Sequence, residues 1–116
     1  MVTIAAGRVS EETYRRLALA AVDAPLELHD DLPREKPAMS VEHGGMMTDL
    51  VLALGPQLER SEYRLRINHA RLRRSARHYY VPDIAVIPWP LERTMRDQTG
   101  ALDAYSAPLP LVVEIW

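Results

Sequence analysis

Residues 79–88 read YYVPDIAVIP and predict a β-strand that is apolar on both faces after Asp83. Such a strand belongs to the interior of a sheet, since both of its faces must be covered by other elements. Asp83 therefore stands at a place where an acid is unusual. A second acid, Glu114, lies in the final segment LVVEIW and is also surrounded by residues of core type.

The flanking sequence predicts a single α+β domain over residues 1–116. Ser10 and Ser40 are suitable N-caps for two amphipathic helices, and Asp30-Asp31 marks a turn between two short strands. The predicted helices cover residues 10–20 and 40–59, the strands residues 26–37, 62–68, 71–74 and 109–116, and a long connection residues 89–108. This order predicts a mixed domain with a central sheet.

Composition excludes several classes of protein. Apolar residues make up 47% of the 116 residues, which is typical of a globular chain, and the formal net charge is −2. There is no cysteine, which excludes disulfides, thiolate metal sites and cysteine nucleophiles. No segment is suited to crossing a bilayer, and the start of the chain does not resemble a secretory signal, so we expect a cytoplasmic protein.

Asp83 and Glu114 are the candidate site residues that the pattern itself suggests. An ionised carboxylate within a buried strand is costly unless it is paired or binds a metal. The alternative is that each acid reaches solvent at a strand end or pairs with an arginine. If the two strands are neighbours, the carboxylates converge and suit Mg²⁺ or Mn²⁺, with the carbonyl of Ile115 as a further ligand.

Three segments together resemble the Uma-two family of restriction-endonuclease-like proteins, within the PD-(D/E)XK nuclease superfamily. They are LELHDDLPREKPAMSVEHGG, YYVPDIAVIP and PLPLVVEIW. The resemblance implies a restriction-endonuclease-like fold, a mixed central sheet with flanking helices, and Mg²⁺-dependent hydrolysis of DNA phosphodiesters. It implies metal-binding roles for Asp83 and Glu114 and catalytic roles for Glu27 and His43. Glu27 could equally be a solvated strand acid, and His43 a first-turn residue with local hydrogen bonds.

The chain departs from the superfamily pattern in its cationic residue. Trp116 stands where the superfamily has a lysine, and the only lysine, Lys36, belongs to the opening hairpin region. The chain also ends directly after the second acid, so we expect that a C-terminal part carrying a lysine is missing. These departures predict little or no nuclease activity, or a non-enzymatic remnant that binds nucleic acid or a protein. An uncovered last strand also favours a homodimer.

A dense run of arginines is the candidate nucleic-acid surface. Its members are Arg64, Arg66, Arg71, Arg73, Arg74 and Arg77. Near a metal site they would bind a phosphate backbone. The alternative is a solvated sheet face whose charge is balanced by acids elsewhere in the chain.

Overall fold

A computed structural model describes residues 7–96 and 102–115 of the chain. Within these residues the protein is an α+β structure with three α-helices and two antiparallel sheets. The helices are α1 (Glu11–Ala20), α2 (Val41–Leu54) and α3 (Trp89–Arg96); the strands are β1 (Leu26–His29), β2 (Leu32–Glu35), β3 (Tyr63–Ile67), β4 (Leu72–Ser75), β5 (His78–Tyr80), β6 (Ile84–Pro88) and β7 (Leu111–Val113).

The predicted helix starts and the predicted hairpin are confirmed. The Ser10 and Ser40 hydroxyls each accept a backbone N–H three residues on, which satisfies a donor of the first helical turn. Asp30 and Asp31 adopt positive φ angles of 51° and 67°, which suits the tight turn that joins β1 to β2. These features depend on interactions over a few residues, and the sequence pattern was sufficient to predict them.

The predicted strand over residues 79–88 is wrong, because two strands occupy this segment. β5 pairs with β1 and β4 in one sheet, whereas β6 pairs with β3 and β7 in the other. The break lies at Val81, whose N–H is donated to the Glu27 carboxylate, and at Pro82, which has no N–H to donate. Neither residue continues a strand ladder, so the chain leaves one sheet and enters the other.

The single mixed central sheet is therefore also wrong. The strand orders are β2-β1-β5-β4 and β3-β6-β7, and every strand pair within them is antiparallel. The one parallel element among the described residues is an isolated bridge between Leu72 and Tyr105.

The predicted connection over residues 89–108 contains a helix. α3 begins at Trp89, directly after β6, and Pro90 lies in its first turn, where a missing N–H costs nothing. Residues 97–101 of this connection lie outside the described residues. The predicted last strand is shorter than expected, since β7 ends at Val113, and Trp116 also lies outside the described residues.

The core consists of two apolar clusters, one that includes residues of the first sheet and one that includes residues of the second. Tyr14, Leu28 and Tyr79 belong to the first cluster, and Ala85 and Ile87 to the second. Burial raises the pKa of Tyr14 to about 12. Within residues 7–96 and 102–115, no helix combines the length and the apolar character needed to cross a membrane.

Helix α2 contributes little to this core. Met47 is its buried residue, whereas the side chains of Val41, Met46 and Leu52 are exposed. Leu111 and Val112 of the edge strand β7 are also exposed. The predicted homodimer would cover such surfaces, and it stays a prediction.

Candidate functional site

Asp83 and Glu114 lie side by side at one end of the second sheet. β6 and β7 are antiparallel with Ile84 opposite Val113, so Asp83, just before β6, is opposite Glu114, just after β7. The two strands are neighbours, which is the condition that the sequence left open. The register alone brings the two acids together.

Asp83 is almost completely buried, with 2% of its surface exposed. Its Oδ2 accepts the Ile115 N–H at 2.7 Å, and its Oδ1 accepts a hydrogen bond from Lys36 Nζ at 2.9 Å. Burial alone would raise the pKa of Asp83, but the Ile115 N–H and the Lys36 ammonium outweigh it, and the pKa is lowered. Asp83 is therefore an ionised carboxylate with hydrogen bonds on both oxygens.

Lys36 reaches the acids from the end of β2. Its Nζ donates to the Val81 carbonyl at 2.7 Å and lies 3.6 Å from Glu114 Oε2. The expectation that the acids lack a lysine is wrong, because this ammonium lies between the two carboxylates. Sequence spacing gave no signal for this, since the hairpin is brought next to the segment before β6 by the pairing of β1 with β5.

Glu114 is the more open of the two acids, with 44% of its side chain exposed. Its pKa is raised, mainly by partial burial; Lys36 lowers it, while the charges of Asp83 and Glu27 add to the increase. The two acids thus differ in environment, because one is fully hydrogen-bonded and the other faces solvent beside a shared ammonium.

His43 also reaches this site, and its predicted catalytic role stays a prediction. It lies in the first turn of α2, where its backbone N–H is donated to the Ser40 hydroxyl. Its Nε2 lies 3.3 Å from Asp83 Oδ2 without the geometry of a hydrogen bond. That Nε2 is buried and has no hydrogen-bond partner among the described residues. A buried nitrogen without a partner is a position where a ligand gains binding energy.

Glu27 lies close to the site but is bound to the scaffold. Its Oε2 accepts the Val81 N–H at 2.6 Å, and its Oε1 lies 2.9 Å from His29 Nε2. The side chain is neither solvated nor directed at the space between Asp83 and Glu114. It holds the break between β5 and β6, and its predicted catalytic role stays a prediction.

The two carboxylates of the site are of the ligand type that Mg²⁺ or Mn²⁺ binds, whereas an imidazole such as that of His43 is a ligand type of softer metals. In the described ranges, 7–96 and 102–115, no three His, Asp or Glu side chains are grouped closely enough to hold a metal. The ammonium of Lys36 supplies the positive charge at this place. The amide of Ile115 binds Asp83, and the proposed ligand role of its carbonyl is untested.

Arg66 is bound to an acid that sequence patterns did not single out. Its Nε and Nη2 donate to the two carboxylate oxygens of Glu92 at 2.6 and 3.0 Å. Glu92 lies on α3 and exposes only 6% of its surface. The polar face of β3 is therefore covered by α3 and is not a solvated surface. The unpredicted helix explains why this pair was missed.

Two further arginines of the cluster are neutralised within the chain. Arg73 Nε donates to Glu11 at 2.7 Å. Arg77 pairs with Asp30 at 2.6 Å and with Asp31 at 2.8 Å. These arginines join β4, and the turn that follows it, to α1 and to the hairpin turn.

The other three arginines of the cluster have no ion pair among the described residues. Arg64 stacks on the Trp89 ring with its Cζ 4.1 Å from the ring centroid. Arg71 Nε donates to the Tyr14 hydroxyl at 3.1 Å, and Arg74 is exposed. The predicted continuous basic surface is thus divided between structural and accessible arginines.

Comparison of this chain with family models, with curated proteins and with solved structures found no match.

Proposed function

We propose that this chain is a cytoplasmic Mg²⁺- or Mn²⁺-dependent hydrolase of DNA phosphodiesters with a PD-(D/E)XK-type site. The observation that carries the proposal is the position of Lys36. Its Nζ lies 2.9 Å from Asp83 Oδ1 and 3.6 Å from Glu114 Oε2. Two acids and an ammonium at one point are the three groups that the superfamily pattern requires.

Lys36 would stabilise the negative charge that develops during phosphodiester hydrolysis. Hydrolysis adds a water oxygen to phosphorus, breaks one bridging P–O bond and leaves the departing oxygen with a proton. Negative charge grows on the phosphate oxygens during this step, and the Lys36 ammonium stabilises it. The Val81 carbonyl, which accepts from the same ammonium, keeps Nζ at the site.

Asp83 and Glu114 would hold the metal, and water would supply its further oxygen ligands. A bound divalent cation lowers the pKa of its water and polarises the phosphoryl oxygen. Because Asp83 is buried and receives the Ile115 N–H, its carboxylate is held in place before any ligand arrives. Glu114 is exposed and therefore accessible from solvent.

The direct test is cleavage of supercoiled plasmid DNA by the purified chain with Mg²⁺ or Mn²⁺. We expect conversion to nicked and linear forms, inhibition by EDTA, and loss of cleavage in Asp83→Asn and Glu114→Gln. Lys36→Met should reduce the rate by about 100-fold, the usual effect of losing one transition-state donor. Arg34→Met, at an exposed cation on β2 two residues before Lys36, is the matched control and should retain the wild-type rate.

Two outcomes would overturn the proposal. One is a folded protein that leaves the plasmid intact with both metals. The other is cleavage that survives in Asp83→Asn, since this would indicate a contaminating nuclease. Circular dichroism of each variant establishes that it is folded.

A non-enzymatic domain of the same fold is the second candidate. It is favoured by the hydrogen bonds on both Asp83 oxygens, which make Lys36–Asp83 a structural ion pair as it stands. Calorimetric titration with Mn²⁺ separates the candidates, because a purely structural pair should give no binding heat.

A further inference from the structure

Trp89 is the centre of a cationic cluster at the opposite end of β6 from Asp83. The backbone N–H of Trp89 is donated to the Glu62 carbonyl at 2.7 Å, which continues the pairing of β6 with β3 by one residue. The chain then turns into α3. The backbone of Trp89 is thus held by strand pairing before it and by the start of α3 after it.

Two arginines stack on this one ring. The Cζ of Arg64 lies 4.1 Å from the Trp89 centroid, and the Cζ of Arg96 lies 4.8 Å from it. The two guanidinium carbons are therefore no further apart than the sum of these distances, 8.9 Å. Stacking on the ring stabilises each cation but leaves its N–H groups open to other acceptors.

No carboxylate neutralises this pair within the described part of the chain. Arg64 donates to the carbonyls of Arg60 and Tyr63, which orient the guanidinium without removing its charge. Glu62 is next to Trp89 along the ladder, but its carboxylate forms no ion pair with either stacked arginine among residues 7–96 and 102–115. Arg66, two residues further along β3, differs in that it is neutralised by Glu92.

From this arrangement we infer that Arg64, Trp89 and Arg96 form a phosphate-binding site for a nucleic-acid strand. Two guanidinium groups held near each other without a counter-ion repel one another, and a bound phosphate removes that repulsion. Guanidinium N–H groups match phosphate oxygens in geometry and charge. Arg60 and Arg93 are also exposed and extend the cluster along the surface.

The position of the site favours a strand over an isolated anion. Asp83 and Trp89 are six residues apart along an extended segment, which corresponds to about 20 Å at 3.3 Å per residue. About six nucleotides of one strand, at 3.4 Å each, cover the same length. A strand bound at Trp89 can therefore extend to the acids, although binding at Trp89 does not depend on cleavage there.

Binding of a fluorescein-labelled DNA oligonucleotide to the full chain, measured by anisotropy in EDTA, tests the site. For duplex DNA, the double variant Arg64→Gln/Arg96→Gln should weaken binding at least tenfold. It should also lower the slope of log affinity against log salt concentration by about 1.8, the value for two lost phosphate contacts. Arg16→Gln/Arg34→Gln removes the same charge from exposed positions elsewhere and should leave the slope unchanged.

Trp89→Leu distinguishes an organised site from general basic charge. It keeps both arginines but removes the ring on which they stack, and we expect it to weaken binding severalfold.

Equal salt slopes in the two double variants would overturn the inference. So would binding to phosphatidylserine vesicles without binding to DNA, or competition by inorganic phosphate that matches the oligonucleotide in affinity. Urea unfolding of each variant establishes that the comparison is between folded proteins.

Discussion

The Lys36 ammonium lies 2.9 Å from Asp83 Oδ1, although the two residues are 47 positions apart in the chain. Lys36 follows β2 of the first sheet, and Asp83 precedes β6 of the second. This ion pair therefore joins the two sheets at the point where the acids converge. A contact that holds two sheets together affects stability as well as chemistry.

Lys36→Met should lower the free energy of unfolding by about 3 kcal/mol. The substitution leaves a carboxylate that is 2% exposed without its cation, and breaking a buried pair in this way typically costs 3–5 kcal/mol. Urea denaturation measures the effect. In a double-mutant cycle with Asp83→Asn, the second substitution should cost much less once the first is made. Strictly additive losses would show that the two residues do not interact.

Glu27→Ala should destabilise the protein by about 2 kcal/mol, because the buried Val81 N–H loses its acceptor. The exposed Glu35, on the neighbouring strand, provides the control, and Glu35→Ala should change stability by less than about 0.5 kcal/mol. Chemical denaturation of both variants gives the comparison. If Glu27→Ala abolished DNA cleavage at unchanged stability, the scaffold role assigned to Glu27 would be wrong.

Glu11 should make stability depend on pH on the acidic side. Hydrogen bonds from Arg73 and from the Tyr79 hydroxyl lower the pKa of Glu11 below its ordinary value of 4.5. A carboxyl whose pKa is lower in the folded state stabilises the fold above its unfolded pKa. This stabilisation is lost as the pH falls through the folded pKa.

The measurement for Glu11 is the urea midpoint of wild type and Glu11→Gln between pH 3 and pH 7, a range that spans the ordinary Glu pKa. Glu11→Gln should be the less stable protein at pH 7, and the difference should shrink below about pH 4.5. A difference that stayed constant over this range would mean that Glu11 is not ionised differently in the two states.

Arg66 and Arg74 should respond differently to the same substitution. Arg66→Ala leaves the buried Glu92 without its bidentate partner and should cost about 3 kcal/mol. Arg74 is exposed, and Arg74→Ala should stay within about 0.5 kcal/mol of wild type. Thermal or urea unfolding compares them. Similar stability in both variants would show that the Arg66–Glu92 pair does not stabilise the fold.

Much of the fold could be predicted from local pattern. The caps Ser10 and Ser40 and the turn at Asp30-Asp31 each act through contacts within four residues. The sequence singled out Asp83 and Glu114 as acids next to apolar strands, but their neighbouring positions depend on the pairing of β6 with β7. The break at Val81 was not predictable, because an apolar run looks the same whether it forms one strand or two.

The sequence by itself determined where helices begin, where the hairpin turns and which two acids are unusual in apolar segments. Caps, turns and side-chain alternation depend on residues close together in the chain, so they can be recognised from the local sequence. Only the tertiary structure decided that the Lys36 ammonium lies between Asp83 and Glu114. It also decided that Glu92 neutralises Arg66 and that two arginines stack on Trp89. Lys36 is 47 positions from Asp83, and Arg66 is 26 positions from Glu92; Arg64 and Trp89 are also distant in the chain, whereas Arg96 lies on the same helix as Trp89. Long-range partners are brought together only when strands from distant segments pair, and charge alone does not specify which acid an arginine or lysine will meet.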